Sequence, residues 1–320
     1  MQNHKMLIIS LLSISLISLE LVWTRIFSAE FFYTFAFLIL SLAILGLGLG
    51  GLALRLFPFL NRGNKVGPIL SLAGLAAIIS PPFVFSLELN FSELLNGWLM
   101  VGKVGLTILI LSLPFFFGGM ALSRIFKENS HKITKLYMAD LLGAGLGVVV
   151  AILLMNRLGT PVTTFVVTAP LLAAAFIASR GWLKSLPVIL TAAVFWLSWM
   201  APGLLALERQ EHGRVIYTHW DAMSKIKLYD FDGVYRGLNI DNIANSPVYP
   251  FDGDWNKPDS ELFQYGIDVK YLIDQFDSCT FLSLGAGGGV DVLQALQYGA
   301  TEIHAVEING HINHMMLYGD

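Results

Sequence analysis

The sequence predicts a multi-pass α-helical membrane domain, followed by a small β layer and the start of an α/β, Rossmann-like domain. Three observations support this fold class. The 320-residue chain is 55% hydrophobic and only 13% charged, which is too apolar for an ordinary soluble protein. Its charge changes sign near residue 207. Close to its end, a glycine-rich loop and an acid follow two successive apolar runs.

The charge distribution predicts the main domain boundary. Residues 1–207 contain 13 Lys and Arg against 6 Asp and Glu, whereas residues 208–320 contain 7 against 17. The two parts therefore carry +7 and −10, which sum to the −3 of the whole chain. An acidic second part argues against nucleic acid as a partner and suits a cationic substrate such as a polyamine. Acids that only solvate a small domain explain the charge equally well.

Seven apolar segments in residues 1–207 are each about long enough to cross a bilayer core of roughly 30 Å. The first is interpreted as a retained helix and not as a signal peptide, because it ends on Val22, Trp23, Thr24 and Arg25 without a small-residue cleavage site. The lipid bilayer is thus the first expected partner. The predicted spans are residues 6–23, 31–54, 67–85, 101–122, 138–155, 162–178 and 186–205.

Two glycine patterns inside these spans imitate nucleotide-binding motifs. Gly46, Gly48 and Gly51 fit GxGxxG, and Gly143, Gly145 and Gly147 fit GxGxG. Neither pattern follows a strand or precedes a ribose-binding acid. Gly143 and Gly147, like Gly46 and Gly50, are four residues apart, which lets two membrane helices approach closely. Both patterns therefore predict helix packing.

Three ionisable residues, Glu20, Lys103 and Asp140, fall inside the predicted spans. Charge inside a membrane is costly and by default suggests function. Each of the three lies within a turn or two of a predicted span end, so the sequence favours placement at the membrane interface.

The segment 208–277 is predicted to form the β layer. Residues 214–220, 225–230 and 234–240 have strand character, and Asp232-Gly233 is a typical hairpin turn. Residues 242–257 are rich in Asn, Pro, Asp and Gly and are interpreted as a loop, and residues 260–275 as a helix.

Residues 278–320 predict one β-α-β unit. An apolar run from Phe281 to Leu284 leads into the glycine loop, and a second run from Ile303 to Val306 ends on Glu307. The glycines let the backbone approach a ligand, and Glu307 can accept both hydroxyls of a ribose. A unit of this kind binds an adenosine-containing molecule, unless it has kept its shape and lost its ligand. The predicted cofactor-binding residues are Gly285, Ala286, Gly287, Gly288, Gly289, Asp291 and Glu307.

The spacing of the loop bears on which adenosine compound binds. Dinucleotide sites have the pattern GxGxxG, but here the sixth position is Val290 and the pattern is GxGxG. This favours an S-adenosylmethionine type of site over an NAD site.

The loop GAGGGVDV and the strand end AVEIN resemble the nucleotide motif of spermidine synthases and related S-adenosylmethionine-dependent transferases. The pieces ELVWTR (residues 20–25) and LYMADLLGAGLG (residues 136–147) resemble the membrane part of the fused branch of that family. The resemblance implies a methyltransferase-like fold, with S-adenosylmethionine or its decarboxylated form held by the loop and Glu307. It also implies aminopropyl transfer to an amine in polyamine biosynthesis.

The sequence departs from the family at the amine pocket. Soluble members carry Tyr-His-Glu there, whereas this chain has Tyr265, Gly266 and Ile267. The identity of the acceptor amine therefore stays open, and so do two alternatives. One is methyl transfer, and the other is a transporter or sensor whose C-terminal domain binds a nucleoside or polyamine without turnover.

A doubly wound domain has about five or more strands, but only 13 residues follow Glu307. We therefore expect a domain truncated after its second strand, with the catalytic base beyond Asp320. No metal is expected, because Cys279 is the only cysteine and because His311 and His314 lack a third ligand. The sequence leaves open whether the protein forms a homo-oligomer.

The sidedness of the membrane domain is ambiguous. Basic linkers before the third, fifth and seventh spans, together with Lys5, are expected to face the cytoplasm. Seven crossings would then place the C-terminal domain outside the cell, yet adenosyl cofactors are cytoplasmic. Either one span is miscounted, one segment is re-entrant, or the C-terminal domain has another role. We expect a cell (inner) membrane protein whose nucleotide domain is cytoplasmic.

Overall fold

The computed structural model describes residues 2–61, 63, 65–89, 97–207, 211, 213–251, 253–254 and 269–319. The chain forms two compact units. The membrane unit comprises Met1–Glu208 and Trp220–Ala222, and the C-terminal unit comprises Arg209–His219 and Met223–Asp320.

Eight α-helices build the described part of the membrane unit, joined by short loops and single 3-10 turns. Seven helical segments are long and apolar enough to span a bilayer, so the chain is a multi-pass membrane protein by length and composition. The helices are α1 Gln2–Glu30, α2 Phe35–Leu56, α3 Val66–Ser86, α4 Trp98–Glu128, α5 Ile133–Leu158, α6 Thr160–Val166, α7 Ala169–Ala178 and α8 Ser185–Leu204.

The sixth candidate span, Thr160–Ala178, is two helices instead of the single helix expected. The helix is interrupted between α6 and α7, at Val167 and Thr168, where some backbone groups do not make helical hydrogen bonds. Ser15 of α1 compensates for part of this: its hydroxyl donates to the carbonyl of Val167 at 2.7 Å and accepts from the amide of Leu171 at 2.9 Å. The break is therefore buried and hydrogen-bonded by a neighbouring helix.

The paired glycines Gly46 and Gly50 of α2 and Gly143 and Gly147 of α5 are packing sites, as the sequence predicted. A Cβ atom added to Gly50 of α2 would lie 2.1 Å from the backbone oxygen of Phe116 in α4. Added to Gly143 or Gly147 of α5, it would lie 2.5 or 2.7 Å from a backbone oxygen of α1. These contacts bring helix backbones together, which is the role that the four-residue spacing predicts.

The ionisable residues of the spans have different surroundings. Asp140 accepts a hydrogen bond from the hydroxyl of Ser13, and the ammonium of Lys103 donates to the carbonyl of Leu87 at 2.7 Å. Glu20 is half-buried in α1. Because α1 continues to Glu30, seven residues past the end of the predicted span, Glu20 lies farther from its helix end than expected.

The C-terminal unit contains an antiparallel sheet of order β1-β2-β3-β4. The hairpin predicted at Asp232-Gly233 is confirmed, with Phe231 opposite Tyr235. The prediction of a loop over residues 242–257 was wrong in part, because residues 244–248 pair with β3 as a fourth strand. The four strands are β1 Arg214–Trp220, β2 Lys225–Phe231, β3 Tyr235–Ile240 and β4 Ala244–Val248.

The second half of the C-terminal unit alternates helices and strands. The helix expected at residues 260–275 is present over Val269–Ile273, and residues 255–268 lie outside the described part of the chain. Strands β5 and β6 pair in parallel, with Leu284 opposite Val306. The elements are α9 Val269–Ile273, β5 Thr280–Leu284, α10 Val290–Gln297, β6 Glu302–Val306 and α11 Gly310–Tyr318.

Two small apolar clusters hold the C-terminal unit together. Ile226 and Leu238 of the antiparallel sheet pack with Ile312 of α11, all at most 2% exposed. Val269 of α9 and Ala295 of α10 form the other cluster with partly buried side chains of β5 and β6. The first cluster attaches α11, and with it the end of β6, to one face of the antiparallel sheet.

An ionic network lies on the other face of that sheet. The carboxylate of Glu211 accepts hydrogen bonds from the ammonium of Lys227 and the hydroxyl of Tyr229. Burial raises the pKa of Glu211, but these two hydrogen bonds and the charges of Lys227 and Lys225 outweigh it, so the pKa lies below its usual value of 4.5.

The contact at Gly50 makes a prediction for Gly50→Ala. Neither backbone can yield easily, so the substitution is expected to cost about 1–3 kcal/mol of stability, the usual range for overpacking. Gly48→Ala is the matched control, because nothing lies within 4 Å of its added Cβ. The measurement is the melting temperature of the detergent-solubilised protein. Equal melting temperatures for the two variants would contradict this account of the α2–α4 contact.

The network at Glu211 makes a prediction for pH. Because the folded pKa of Glu211 is lowered, its stabilising effect is present above pH 4.5 and is lost as the pH falls through the folded pKa. Glu211→Gln should therefore unfold the C-terminal unit at lower denaturant concentration near pH 7, and the difference from wild type should shrink toward pH 3. Denaturant titrations followed by tryptophan fluorescence at several pH values test this. A difference independent of pH would exclude the carboxylate as its source.

Candidate functional site

The predicted glycine loop and Glu307 lie side by side at one edge of the parallel strand pair. Leu284 ends β5 and Val306 ends β6, and these two residues are directly paired. Gly285 and Glu307 are the next residues of each strand. Since the carboxyl ends of parallel strands meet at one edge, the structure brings together these two residues, which lie 22 positions apart in sequence.

Each backbone N–H from Gly285 to Gly289 already donates a hydrogen bond. Those of Gly285 and Ala286 bond to the carbonyl of Val306 at 2.7 and 3.2 Å, and that of Gly289 bonds to the carbonyl of Ala286 at 2.8 Å. The N–H of Gly287 donates to Glu307 at 3.1 Å, and that of Gly288 to the hydroxyl of Ser246 at 2.8 Å. The loop is thus held in one conformation by acceptors of its own chain.

The loop requires glycine for two separate reasons. Gly289, the N-cap of α10, has a φ of +77°, in the left-handed region that residues with a Cβ rarely adopt. Gly288 has an ordinary φ, but its added Cβ would lie 2.3 Å from the carbonyl oxygen of Pro247 in β4. The left-handed backbone conformation therefore favours glycine at position 289, and the close approach of β4 favours it at position 288.

The carboxylate of Glu307 is fixed by two backbone amides. One oxygen accepts from the N–H of Asn309 at 2.8 Å and the other from the N–H of Gly287 at 3.1 Å. The side chain is half-buried. A carboxylate has about four lone-pair positions, so each oxygen of Glu307 can accept one more hydrogen bond. This geometry suits a ligand with two neighbouring hydroxyl groups.

Asp291 lies in the first turn of α10, and its contacts are internal. One carboxylate oxygen accepts from the hydroxyl of Ser283 in β5, and the other from the N–H of Val292 at 3.0 Å. These bonds tie the start of α10 to β5, and a negative charge there also suits the helix dipole. Asp291 therefore fixes the start of α10, just after the loop, against β5.

Two residues that the sequence did not single out complete the site. Asn309, 4% exposed, caps α11 by accepting from the N–H groups of His311 and Ile312, and its amide donates to Ser224 at 2.6 Å. Its position directly before a helix is a recognisable N-cap signal. Ser246 had no such signal, because it fell in the segment predicted to be a loop.

The histidines near the site form a stack of rings. The ring of His311 lies 3.6 Å from that of His219, nearly parallel to it, and its Nε2 is 2.9 Å from the hydroxyl of Tyr217. His314 lies against Tyr318. Within the described ranges, no group of three or more His, Cys, Asp or Glu residues could hold a metal ion. Tyr265, Gly266 and Ile267, expected near an amine pocket, lie outside those ranges.

The contacts of Asn309 make a prediction. Asn309→Ala removes the cap of α11 and the bond to Ser224, and loss of the cap alone is expected to cost about 1 kcal/mol. Asn309→Asp is the matched control, because it keeps an oxygen for the cap and loses only the amide donor. We expect the alanine variant to unfold at lower denaturant concentration than the aspartate variant. Equal or reversed stabilities would contradict the capping role, because both variants lose the amide donor to Ser224 and only the cap differs between them.

Comparisons with protein families, with curated proteins and with solved structures found no match. The function is therefore inferred from the contacts of this chain's own residues.

Proposed function

We propose that the chain is a membrane-bound transferase of the spermidine synthase type. It binds S-adenosylmethionine or its decarboxylated form and transfers an aminopropyl group to an amine. The observation that carries the proposal is the carboxylate of Glu307, held by the N–H groups of Gly287 and Asn309 beside the glycine loop.

Glu307 supports an adenosyl ligand because its orientation is set before the ligand arrives. The two backbone bonds leave one acceptor position on each oxygen, which matches the 2′ and 3′ hydroxyls of a ribose. A rigid acceptor loses little conformational entropy on binding, so more of the interaction contributes to affinity. The βαβ arrangement around it is the reason to propose a Rossmann-like domain.

The loop favours a sulfonium nucleoside over a dinucleotide. NAD sites place a pyrophosphate against free N–H groups at the start of a helix. Here the N–H groups from Gly285 to Gly289 all donate within the chain. The acidic residues 208–320, at −10, also suit a cationic sulfonium and a cationic amine better than a phosphate.

The chemistry requires a nucleophilic nitrogen. The amine attacks the carbon next to the sulfonium, an N–C bond forms, the C–S bond breaks, and the thioether leaves with the electron pair. The attacking ammonium must first lose a proton to a base, and we assign no residue to that role. Methyl transfer follows the same course at the methyl carbon of S-adenosylmethionine, and the loop and Glu307 would serve either reaction.

The membrane unit would anchor this transferase in the cell (inner) membrane. The proposal places the C-terminal unit in the cytoplasm, where adenosyl cofactors are found. Small amines are the proposed second substrate. The proposal is compatible with a monomer or a homo-oligomer.

A second candidate function is transport or sensing of a solute by the membrane unit, with the C-terminal unit binding a nucleoside or polyamine without turnover. The observation that favours it is the break between α6 and α7, because discontinuous spans often form binding sites in transporters. Here the break is bonded to Ser15 of α1. Retained nucleoside binding without any transfer product would favour this candidate over the transferase.

The transferase proposal predicts the effect of Glu307→Ala. The full chain, reconstituted in lipid nanodiscs, is incubated with radiolabelled S-adenosylmethionine or its decarboxylated form and a mixture of polyamines. We expect a labelled amine with the wild type and none with Glu307→Ala. Since two hydrogen bonds to a charged group are lost, the affinity for the adenosyl compound should fall at least about tenfold.

Glu302→Ala is the matched control for that experiment. Glu302 begins β6, the strand that leads to Glu307. Its side chain is exposed and forms an ion pair with His304. It should bind and react like the wild type. A wild-type chain that binds neither adenosyl compound would overturn the proposal.

A further inference from the structure

Strand β4 of the antiparallel sheet contacts the glycine loop directly, and the sequence did not assign this strand to the site. From that contact we propose that Ser246 is a positioning residue for the nucleoside, acting through the loop and Glu307. This inference rests on the proposed function and deepens it, because it makes the β layer part of the ligand site.

The contact between Ser246 and the loop is close and involves two neighbouring glycines. The hydroxyl of Ser246 accepts the N–H of Gly288 at 2.8 Å. A Cβ added to Gly287 would lie 2.9 Å from the same hydroxyl oxygen. The N–H of Gly287, one residue earlier, donates to Glu307. Ser246 and Glu307 therefore hold consecutive N–H groups of the loop.

The position of Ser246 is set by the sheet. Ser246 is paired with Leu238, which is 2% exposed and packs against Ile312 of α11. Paired residues point to the same face of a sheet, so Ser246 faces the side on which α11 and the loop lie. The neighbouring Asn245 is fixed separately, by a hydrogen bond of 2.8 Å from Asn239. The hydroxyl thus reaches the loop from a rigid strand.

The consequence for the ligand follows from the flexibility of glycine. Three consecutive glycines, 287 to 289, have the greatest backbone freedom of any residues. Without an acceptor for the N–H of Gly288, the backbone dihedral angles of Gly287 gain freedom, and the N–H of Gly287 then leaves Glu307 for part of the time. Glu307 would lose one of the two bonds that orient its carboxylate toward a ribose.

The test compares Ser246→Ala with wild type in the full chain, reconstituted in nanodiscs. The probes are S-adenosylmethionine and its decarboxylated form, titrated by calorimetry. We expect the affinity for the compound that the wild type binds to fall about threefold to tenfold, the size of effect expected from one hydrogen bond. Ser278→Ala is the matched control, because Ser278 is exposed, precedes β5 at the end opposite to the loop, and has its hydroxyl 3.5 Å from that of Thr301. It should bind like the wild type.

Hydrogen exchange distinguishes positioning from a general loss of stability. In Ser246→Ala without ligand, exchange should rise at residues 287 and 288, while α10 and β5 keep their protection. An unchanged affinity, or a rise in exchange spread evenly over β5, α10 and β6, would overturn the role of Ser246. A wild type that binds neither probe would instead overturn the proposed function, so the two failures can be told apart.

Discussion

The candidate site depends on one carboxylate that two backbone amides hold in place. Glu307 accepts from Gly287 on one side and Asn309 on the other, and so it joins the loop after β5 to the turn after β6. The parallel pairing of Leu284 with Val306 brings those two turns to the same edge. Asn309 then caps α11, which packs through Ile312 against the antiparallel sheet. A substitution of Glu307 is therefore expected to alter both the loop after β5 and the turn after β6.

The antiparallel sheet makes two direct contacts with the elements of the candidate site. Its inner face packs Ile226 and Leu238 against α11, and its fourth strand supplies Ser246 to the loop. The apolar contact acts on α11, the helix that follows Glu307, and the hydrogen bond acts on the glycine loop. Together they hold α11 and the glycine loop against the same face of the sheet.

In the membrane unit the same residue type has a different use. Glycines in α2 and α5 remove side chains where helix backbones nearly touch, as at Gly50 against Phe116. Serine hydroxyls of α1 then bond to backbone groups of neighbouring helices, at Val167 through Ser15 and at Gly147 through Ser18. In an apolar solvent such bonds matter because no water competes for the polar groups. Glycine in the strand–loop–helix setting shapes the loop beside Glu307, whereas glycine within an apolar helix allows close packing.

The sequence by itself determined the features that depend on local pattern. The seven apolar segments, the hairpin at Asp232-Gly233 and the adjacency of the glycine loop to Glu307 follow from hydrophobic period, turn residues and the rule for parallel strands. Its composition misled at residues 244–248, because Asn, Ser and Pro indicate a loop whereas pairing with β3 makes a strand. The end of α1 was also placed too early, since packing against other helices extends a helix beyond its most apolar part.

Only the tertiary structure decided which acceptors the loop amides have. The bonds from Gly287 to Glu307 and from Gly288 to Ser246 join residues 20 and 42 positions apart. No local pattern encodes such pairs, because each depends on how two sheets and a helix pack. For the same reason the break between α6 and α7, bonded to Ser15 more than 150 positions away, could not be seen in the apolar run of residues 162–178.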